Sequence, residues 1–490
     1  QMRITNPCSR PPIVKTCGEA VEKATNIIRS CFPNARINSH SCPHNTDGFL
    51  VYCRDPGNQQ AGTERLVFFN FCGIGAFPAA NHAPVLGRHC PASGFVIQRH
   101  KNLGKGTGGS SDFCKPGNPC NPASRNKYQE ETDYVGAGQY PLKFVRMYNS
   151  RRLYDGAELG QSWSHTYDRK IGFPGPEVAN IPLVSVTRPD GLIRSFAWRG
   201  SNYVGDADGM DKLERLPSGW KYTTSDDEIE IYTMSGKLVS ISNRAGLTQT
   251  LSYFTTGSDI GLLQSVTDPF GRTLTFEYEA NKRIQAVIDP AGGRYEYTYA
   301  ADTFNSLIKV KYPDNKERIY HYEQADTLSG QRRLLTGITD ENGQRFSTYS
   351  YNSNIEVLSS EHAGSAEKIT LSYPSSTTAT VTTYISSTVT AQRTYTFQAI
   401  AGVARNSSIT GPVCPSCGPA TRTYDSNGNV VTANSWNGFR THYKTYDSAR
   451  NLELARDEGL TSTGAVIPGV TRTVSTQWHA SYRLPTAIAE

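Results

Sequence analysis

The side chains best suited to chemistry are cysteines and histidines, and their placement is lopsided. Nine of the eleven cysteines fall within the first 120 residues: Cys8, Cys17, Cys31, Cys42, Cys53, Cys72, Cys90, Cys114 and Cys120. Such a dense, widely spaced set favours disulfides and an oxidising compartment over metal or redox chemistry. The other two form Cys414-Pro-Ser-Cys417. A redox-active pair normally opens a helix that lowers its thiol pKa, whereas Pro412, Pro415 and Pro419 crowd this one, so a local disulfide pinning a loop is expected. A zinc site would need two more ligands, and only the distant His442 and His479 offer themselves. His40-Ser-Cys-Pro-His44 and His89-Cys90 are the densest His/Cys points and read as disulfide cysteines with incidental surface histidines.

Three further constellations resemble sites. Gly104-x-Gly106-x-x-Gly109 matches a dinucleotide-binding pattern, but Cys114-Lys-Pro-Gly-Asn-Pro119 follows at once and excludes the helix whose N-terminus would hold a pyrophosphate. Trp163, His165, Tyr167 and Asp168 lie close together with no nucleophile beside them and read as packing. Asp-x-Asx-Gly turns recur without the ligand spacing of a calcium loop. With no nucleophile–base set, no carboxylate pair of defined role and no phosphate loop, a non-enzymatic protein without cofactor or metal is expected.

The elements that would position these residues are mostly strands. The chain of 490 residues has only 4 Met but 27 Tyr and 43 Gly, a composition of strands and turns. Its net charge of +6 comes from scattered residues with no Lys/Arg run, so no nucleic-acid partner is expected. No stretch reaches the roughly 18 apolar residues of a transmembrane span.

From about Gln249 onward one unit recurs: an Asp/Gly turn, a strand ending in Tyr, a second strand. The clearest copies are Asp268-Pro-Phe-Gly-Arg-Thr-Leu-Thr-Phe-Glu-Tyr278, Asp289-Pro-Ala-Gly-Gly-Arg-Tyr-Glu-Tyr-Thr-Tyr299, Asp314-Asn-Lys-Glu-Arg-Ile-Tyr-His-Tyr322 and Asp340-Glu-Asn-Gly-Gln-Arg-Phe-Ser-Thr-Tyr349. The leading aspartates are 21, 25 and 26 residues apart. A unit of this length cannot bury its apolar face alone, so neighbouring copies must stack. Asp268, Asp289 and Asp340 are expected to bond their own backbone, with Gly271, Gly293 and Gly343 taking the positive φ of a tight hairpin. Tyr278, Tyr299 and Tyr322 are expected to lay their rings on the packed face, with each hydroxyl at the boundary with water. Residues 355–405 are Ser/Thr-rich and read as degenerate strands, since Thr and Val are strand formers. The rhythm returns at Tyr424, Asp425 and Gly428, and again at Tyr446 and Asp447, where Ala449-Arg450 replaces the glycine position.

The Tyr-Asp-x-x-Gly-Asn form of these last copies resembles the RHS (YD-repeat) proteins. Gly117-Asn-Pro-Cys-Asn-Pro-Ala-Ser-Arg-Asn-Lys-Tyr-Gln-Glu-Glu-Thr-Asp-Tyr134 is similar to the segment that precedes the repeats in bacterial members. Leu142-Lys-Phe-Val-Arg-Met-Tyr-Asn-Ser150 and Gly160-Gln-Ser-Trp-Ser-His165 extend that likeness, which covers about residues 115–490. The resemblance implies a mainly β fold: a hairpin solenoid forming a spiralling sheet or partial shell, in a secreted or cell-surface bacterial protein. Some members enclose a C-terminal toxin, but no C-terminal core motif follows here, so neither toxin activity nor self-cleavage is carried over.

Four regions are therefore expected: a Cys-rich α+β module over 1–103, a Gly-rich linker over 104–114, an entry segment over 115–175 and the YD-repeat sheet over 176–490. In the module, Cys17, Val21, Ala24, Ile28 and Cys31 predict a helix of about four turns. Gly48–Cys53 and Arg65–Cys72 are its strands. Arg483 to Ile488 read as a second strand without its following turn, so added strands are expected there, from a longer chain or by self-association. The function expected is a structural shell or fibre subunit. The alternatives are the shell portion of a toxin, or an adhesin binding surface glycan through exposed Tyr, Trp and Arg.

Overall fold

A computed structural model describes residues 98–104, 120–152, 158–173, 183–301, 305–325 and 333–490, together with the backbone of a few strands before residue 71. The chain divides into two compact units, one of residues 1–99 with 172–184 and one of residues 100–171 with 185–490. In the first, Arg36–Ser41, Gly48–Arg54 and Glu64–Asn70 make a three-stranded antiparallel sheet, with Val51 opposite Val67. Two of these strands were expected. Arg36–Ser41 was not, because its alternation of Ile37 with polar residues is too short to register. The expected helix over Cys17–Cys31 lies outside the described residues, as do Cys8, Cys42, Cys72, Cys90 and Cys114. Cys53 is described by its backbone alone.

The second unit is built on one sheet of 24 strands, running from Lys212–Leu216 to Pro485–Ala489. Each strand pairs antiparallel with its neighbours in sequence, apart from a small two-stranded excursion at Gln324–Ala325 and Arg333–Leu334. The first and last strands do not pair with each other, so the sheet is open. Strand alternation explains its core: in Thr273–Tyr278, Leu274 and Phe276 are buried while Thr275 and Glu277 face solvent. The Ser/Thr-rich stretch also forms strands, including Ile369–Ser375, Thr378–Ile385 and Thr388–Ile400.

The turns follow from local chemistry. Asp268 Oδ1 accepts the amides of Phe270 (2.8 Å) and Arg272 (3.0 Å), and Asp340 Oδ1 those of Asn342 and Gln344 (3.0 and 2.9 Å). Asp425 repeats this with Asn427 and Asn429 at 2.9 Å each. These bonds favour the ionised acid: the Gln344 amide above all holds the Asp340 carboxyl below the usual carboxylate range. Gly271, Gly343 and Gly428 take the left-handed conformation. At the second copy that residue is Gly292, with φ 86°, and not Gly293. The Gly293 amide instead donates to Asp289 Oδ1 (2.9 Å), and a Cβ there would lie 2.5 Å from Asp289 Oδ2. At Asp447 the turn closes without glycine, through Asn451 at φ 49°.

The tyrosine hydroxyls bond the backbone of the preceding strand. Tyr278 donates to the Leu263 carbonyl at 2.8 Å, Tyr299 to Ile284 at 2.7 Å and Tyr322 to Leu307 at 2.9 Å, always 15 residues back. Tyr253 does the same to Leu238 (2.6 Å), Tyr424 to Asn406 and Tyr446 to Val430 (both 2.7 Å). The acceptors Leu238, Leu263, Ile284 and Leu307 are buried at the starts of their strands. The ladder shifts register at Tyr253, Tyr278 and Tyr299, and a bulge there bends the strand and increases its twist. Tyr253, Tyr278 and Tyr299 thus each clip one hairpin to the preceding one at a bulge. Tyr278→Phe should lower stability by about 1 kcal/mol, because the buried Leu263 carbonyl loses its partner. Urea unfolding of the two proteins measures this, and an unchanged midpoint would show that the clip contributes nothing.

Candidate functional site

The candidate site is the seam where the entry segment lies on the sheet within the second unit. The segment folds as a four-stranded sheet of Cys120–Asn121, Asn126–Val135, Lys143–Asn149 and Trp163–His165. In Lys143–Asn149, Phe144, Arg146 and Tyr148 alternate onto one face and are fully buried. Phe144 meets Phe276 edge-on at 5.8 Å, and Trp163 meets Tyr320 edge-on at 5.2 Å. Trp163 Nε1 donates to the Tyr322 hydroxyl at 2.8 Å, and Tyr148 accepts the Leu335 amide at 3.1 Å. A repeat tyrosine therefore receives the segment at the same hydroxyl with which it clips its own hairpin.

Charges are buried in this seam in pairs. Arg146 bonds Asp133 through Nε (2.6 Å) and Nη2 (2.8 Å), both side chains being essentially inaccessible. Tyr297 donates to Asp133 Oδ2 at 2.8 Å, and Arg146 Nη2 donates to the Tyr320 hydroxyl at 2.7 Å. The guanidinium also lies over the Trp163 and Tyr320 rings, each 5.2 Å away. Further along, Glu131 pairs with Arg318, and Arg125 with Glu356. Lys127 is fully buried; it donates to Gln129 Oε1 at 3.0 Å and sits 4.3 Å above the Tyr349 ring. Burial pushes its ammonium well below the usual lysine range. At the other end, Arg169 and Arg188 close on the buried Glu230, to which Tyr232 also donates.

Trp163, His165, Tyr167 and Asp168 do come together, as packing. His165 stacks on Phe144 at 5.2 Å, and its Nδ1 accepts the Tyr167 amide. Asp168 is neutralised by Arg152 at 2.9 Å. Elsewhere Cys414 and Cys417 are joined to each other across a short turn, and Cys120 is disulfide-bonded. Among the described residues no group of three His, Cys, Asp or Glu side chains is placed to hold a metal ion. Of the glycine loop only Gly104 is described, and its amide donates to Asn149 Oδ1 at 2.8 Å. Of the repeat tyrosines, Tyr322 reaches the seam through its hydroxyl, which accepts Trp163 Nε1. Arg146 and Asp133 carried no mark in the sequence beyond polar residues at apolar positions of strands.

Residues 117–196, which include this seam's own strands, match the model described as Domain of unknown function (DUF6531). Residues 258–294 match the RHS Repeat model. The chain carries an RHS repeat. No curated protein matches it. Among solved structures, the chain is similar to "Crystal Structure of TcdB2-TccC3" at 10% identity and a TM-score of 0.32, covering 75% of this chain and 23% of that one. "Crystal Structure of TcdB2-TccC3-Cdc42" matches at 9% identity and a TM-score of 0.34, covering 72% and 22%. A porin-like protein from Bacteroides uniformis ATCC 8492 matches at 9% identity and a TM-score of 0.13, covering 65% and 92%. The chain thus spans less than a quarter of the length of the first of these solved chains. Among its described residues no helix is long and apolar enough to cross a membrane, which leaves membrane β-barrels untouched.

Proposed function

We propose that this RHS chain is a non-enzymatic wall protein, exported to the cell surface or beyond, whose sheet encloses or scaffolds other material. The observation that carries this reading is the single antiparallel sheet of 24 strands. It grows by one repeated clip, and the DUF6531-matching segment is anchored against it by paired buried charges. Those charges are neutralised in pairs: Arg146 with Asp133, Arg169 and Arg188 with Glu230, Arg152 with Asp168. Charges so paired suit a rigid wall. Partners on this reading are further strands, from a longer chain or a second copy, and no cofactor is required.

Negative-stain imaging of the purified chain tests it. Curved walls, hollow particles or ordered assemblies are expected. Isolated compact particles at every concentration would overturn it.

A second reading is favoured by the RHS Repeat and DUF6531 matches occurring in order on one chain: the wall is one portion of a secreted RHS toxin. The coding sequence downstream of Glu490 decides between the two. An effector domain there, with growth inhibition of competing cells, supports the toxin, and a stop codon removes it.

A further inference from the structure

The five residues His100–Gly104 join parts of the second unit that are far apart in sequence. Lys101 is 2% exposed, and its Nζ lies 2.6 Å from Asp206 Oδ2. It also donates to Asp208 Oδ1 at 2.9 Å and to the Ala401 carbonyl at 2.8 Å. Asn102 donates to the Gly402 carbonyl and accepts the Ala404 amide, both at 2.9 Å. Leu103 is buried, and Gly104, in the left-handed conformation, bonds Asn149 and leaves no room for a Cβ beside Asp190. The cleft lined by Lys101, Arg194, Phe196, Gly205, Asp206 and Asp208 keeps only about 10 Å³ of free space, no more than the least that holds a water. Among the described residues the segment joins no strand ladder; Arg99–Lys101 is a single 3₁₀ turn. It grips a loop through two carboxylates and a hairpin turn through three backbone groups, so it can leave without breaking a strand ladder.

We propose that this cleft is a peptide-recognition site for the Lys-Asn-Leu-Gly segment, filled in cis, and that acid releases the segment, making it a pH-sensitive strap across the sheet. The charged groups around Lys101 include His100, Asp206 and Asp208, with Asp211 paired to Arg194 at 3.1 Å in the cleft wall and Arg405 interacting electrostatically with Asp208. Burial first, and then the Lys101 charge, lower the His100 pKa to about 4, against a smaller upward pull from Asp206. A released His100 takes up its proton near 6.5, so the closed form is fully favoured above that pH. It loses ground as pH falls towards 4, and the opening constant rises by up to roughly 300-fold.

Hydrogen exchange of the full chain, followed by mass spectrometry at pH 7.5 and 4.5, tests this. Residues 98–104, 206–211 and 400–404 should lose protection together at pH 4.5, while Thr273–Tyr278 stays protected and reports that the sheet is folded. His100→Gln should abolish most of the pH dependence. Lys101→Met should open the strap at both values, and a synthetic peptide containing Lys-Asn-Leu-Gly, added at millimolar concentration, should restore protection to 206–211 and 400–404. Independent exchange of the three segments, or a strap equally protected at both pH values, overturns the proposal. So does an unchanged pH dependence in His100→Gln. A peptide that restores nothing overturns the recognition site itself.

Discussion

Replacing Arg146 with methionine should destabilise the sheet by about 3–5 kcal/mol. The loss comes less from the missing attraction than from what remains behind. Asp133 would keep a buried carboxylate with only the Tyr297 hydroxyl to serve it, and the Tyr320 hydroxyl would lose its donor. Trp163 and Tyr320 would lose the cation lying over their rings. Urea unfolding followed by tryptophan fluorescence measures the effect, since Trp163 sits in the same cluster. The double variant Arg146→Met/Asp133→Leu supplies the control. Removing both charges should recover much of the loss, because two apolar side chains need no partner. A double variant as unstable as the single would show that packing, not the orphaned charge, is the source.

Acid should weaken the other end of the seam. Burial pushes the Glu230 carboxyl upward, but Arg188 and then Arg169 outweigh it and hold the group at about 2. The ordinary glutamate value is about 4.3. A carboxylate depressed on folding stabilises the native state fully above its unfolded value and loses that contribution as pH falls through the folded one. The expected cost between pH 4.5 and 2 is about 2 kcal/mol from this residue. Asp168, Asp268 and Asp340 are also depressed and add to the slope, so the informative quantity is a difference. Stability against pH, measured for the native chain and for Glu230→Gln, should differ at pH 6 and converge near pH 2. Parallel curves would show that Glu230 does not couple to acid unfolding.

Much of the sheet was legible because its causes are local. Alternation along Thr273–Tyr278 sets which residues are buried, and Asp268 builds its turn from amides two and four residues away. Even so, the second copy was misjudged by one position. Two adjacent glycines offered the same freedom, and only the closed turn distinguishes Gly292 from Gly293. Residues 355–405 were legible as strands for the same local reason, the preference of Thr and Val for a pleated backbone.

The tyrosines show where local reasoning stops. Their rings lie on the sheet as expected. Their hydroxyls find carbonyls 15 to 18 residues away because the folded hairpins place those atoms there, and no periodicity in the residues announces that distance. Arg146 and Asp133 are 13 residues apart, yet their burial depends on Tyr297 and Tyr320, more than 150 residues downstream. Lys101 reads as the tail of a cysteine-rich module and is held by residues 105 and 300 positions later.

The residues by themselves determined the strands, the turns and the repeat family, since these depend on backbone preference and on neighbours within a few positions. Only the tertiary structure decided which charges are buried, which hydroxyls are clips and which segment is a strap. Those roles rest on desolvation and on contacts across the sheet, and both exist only once distant strands have been brought together.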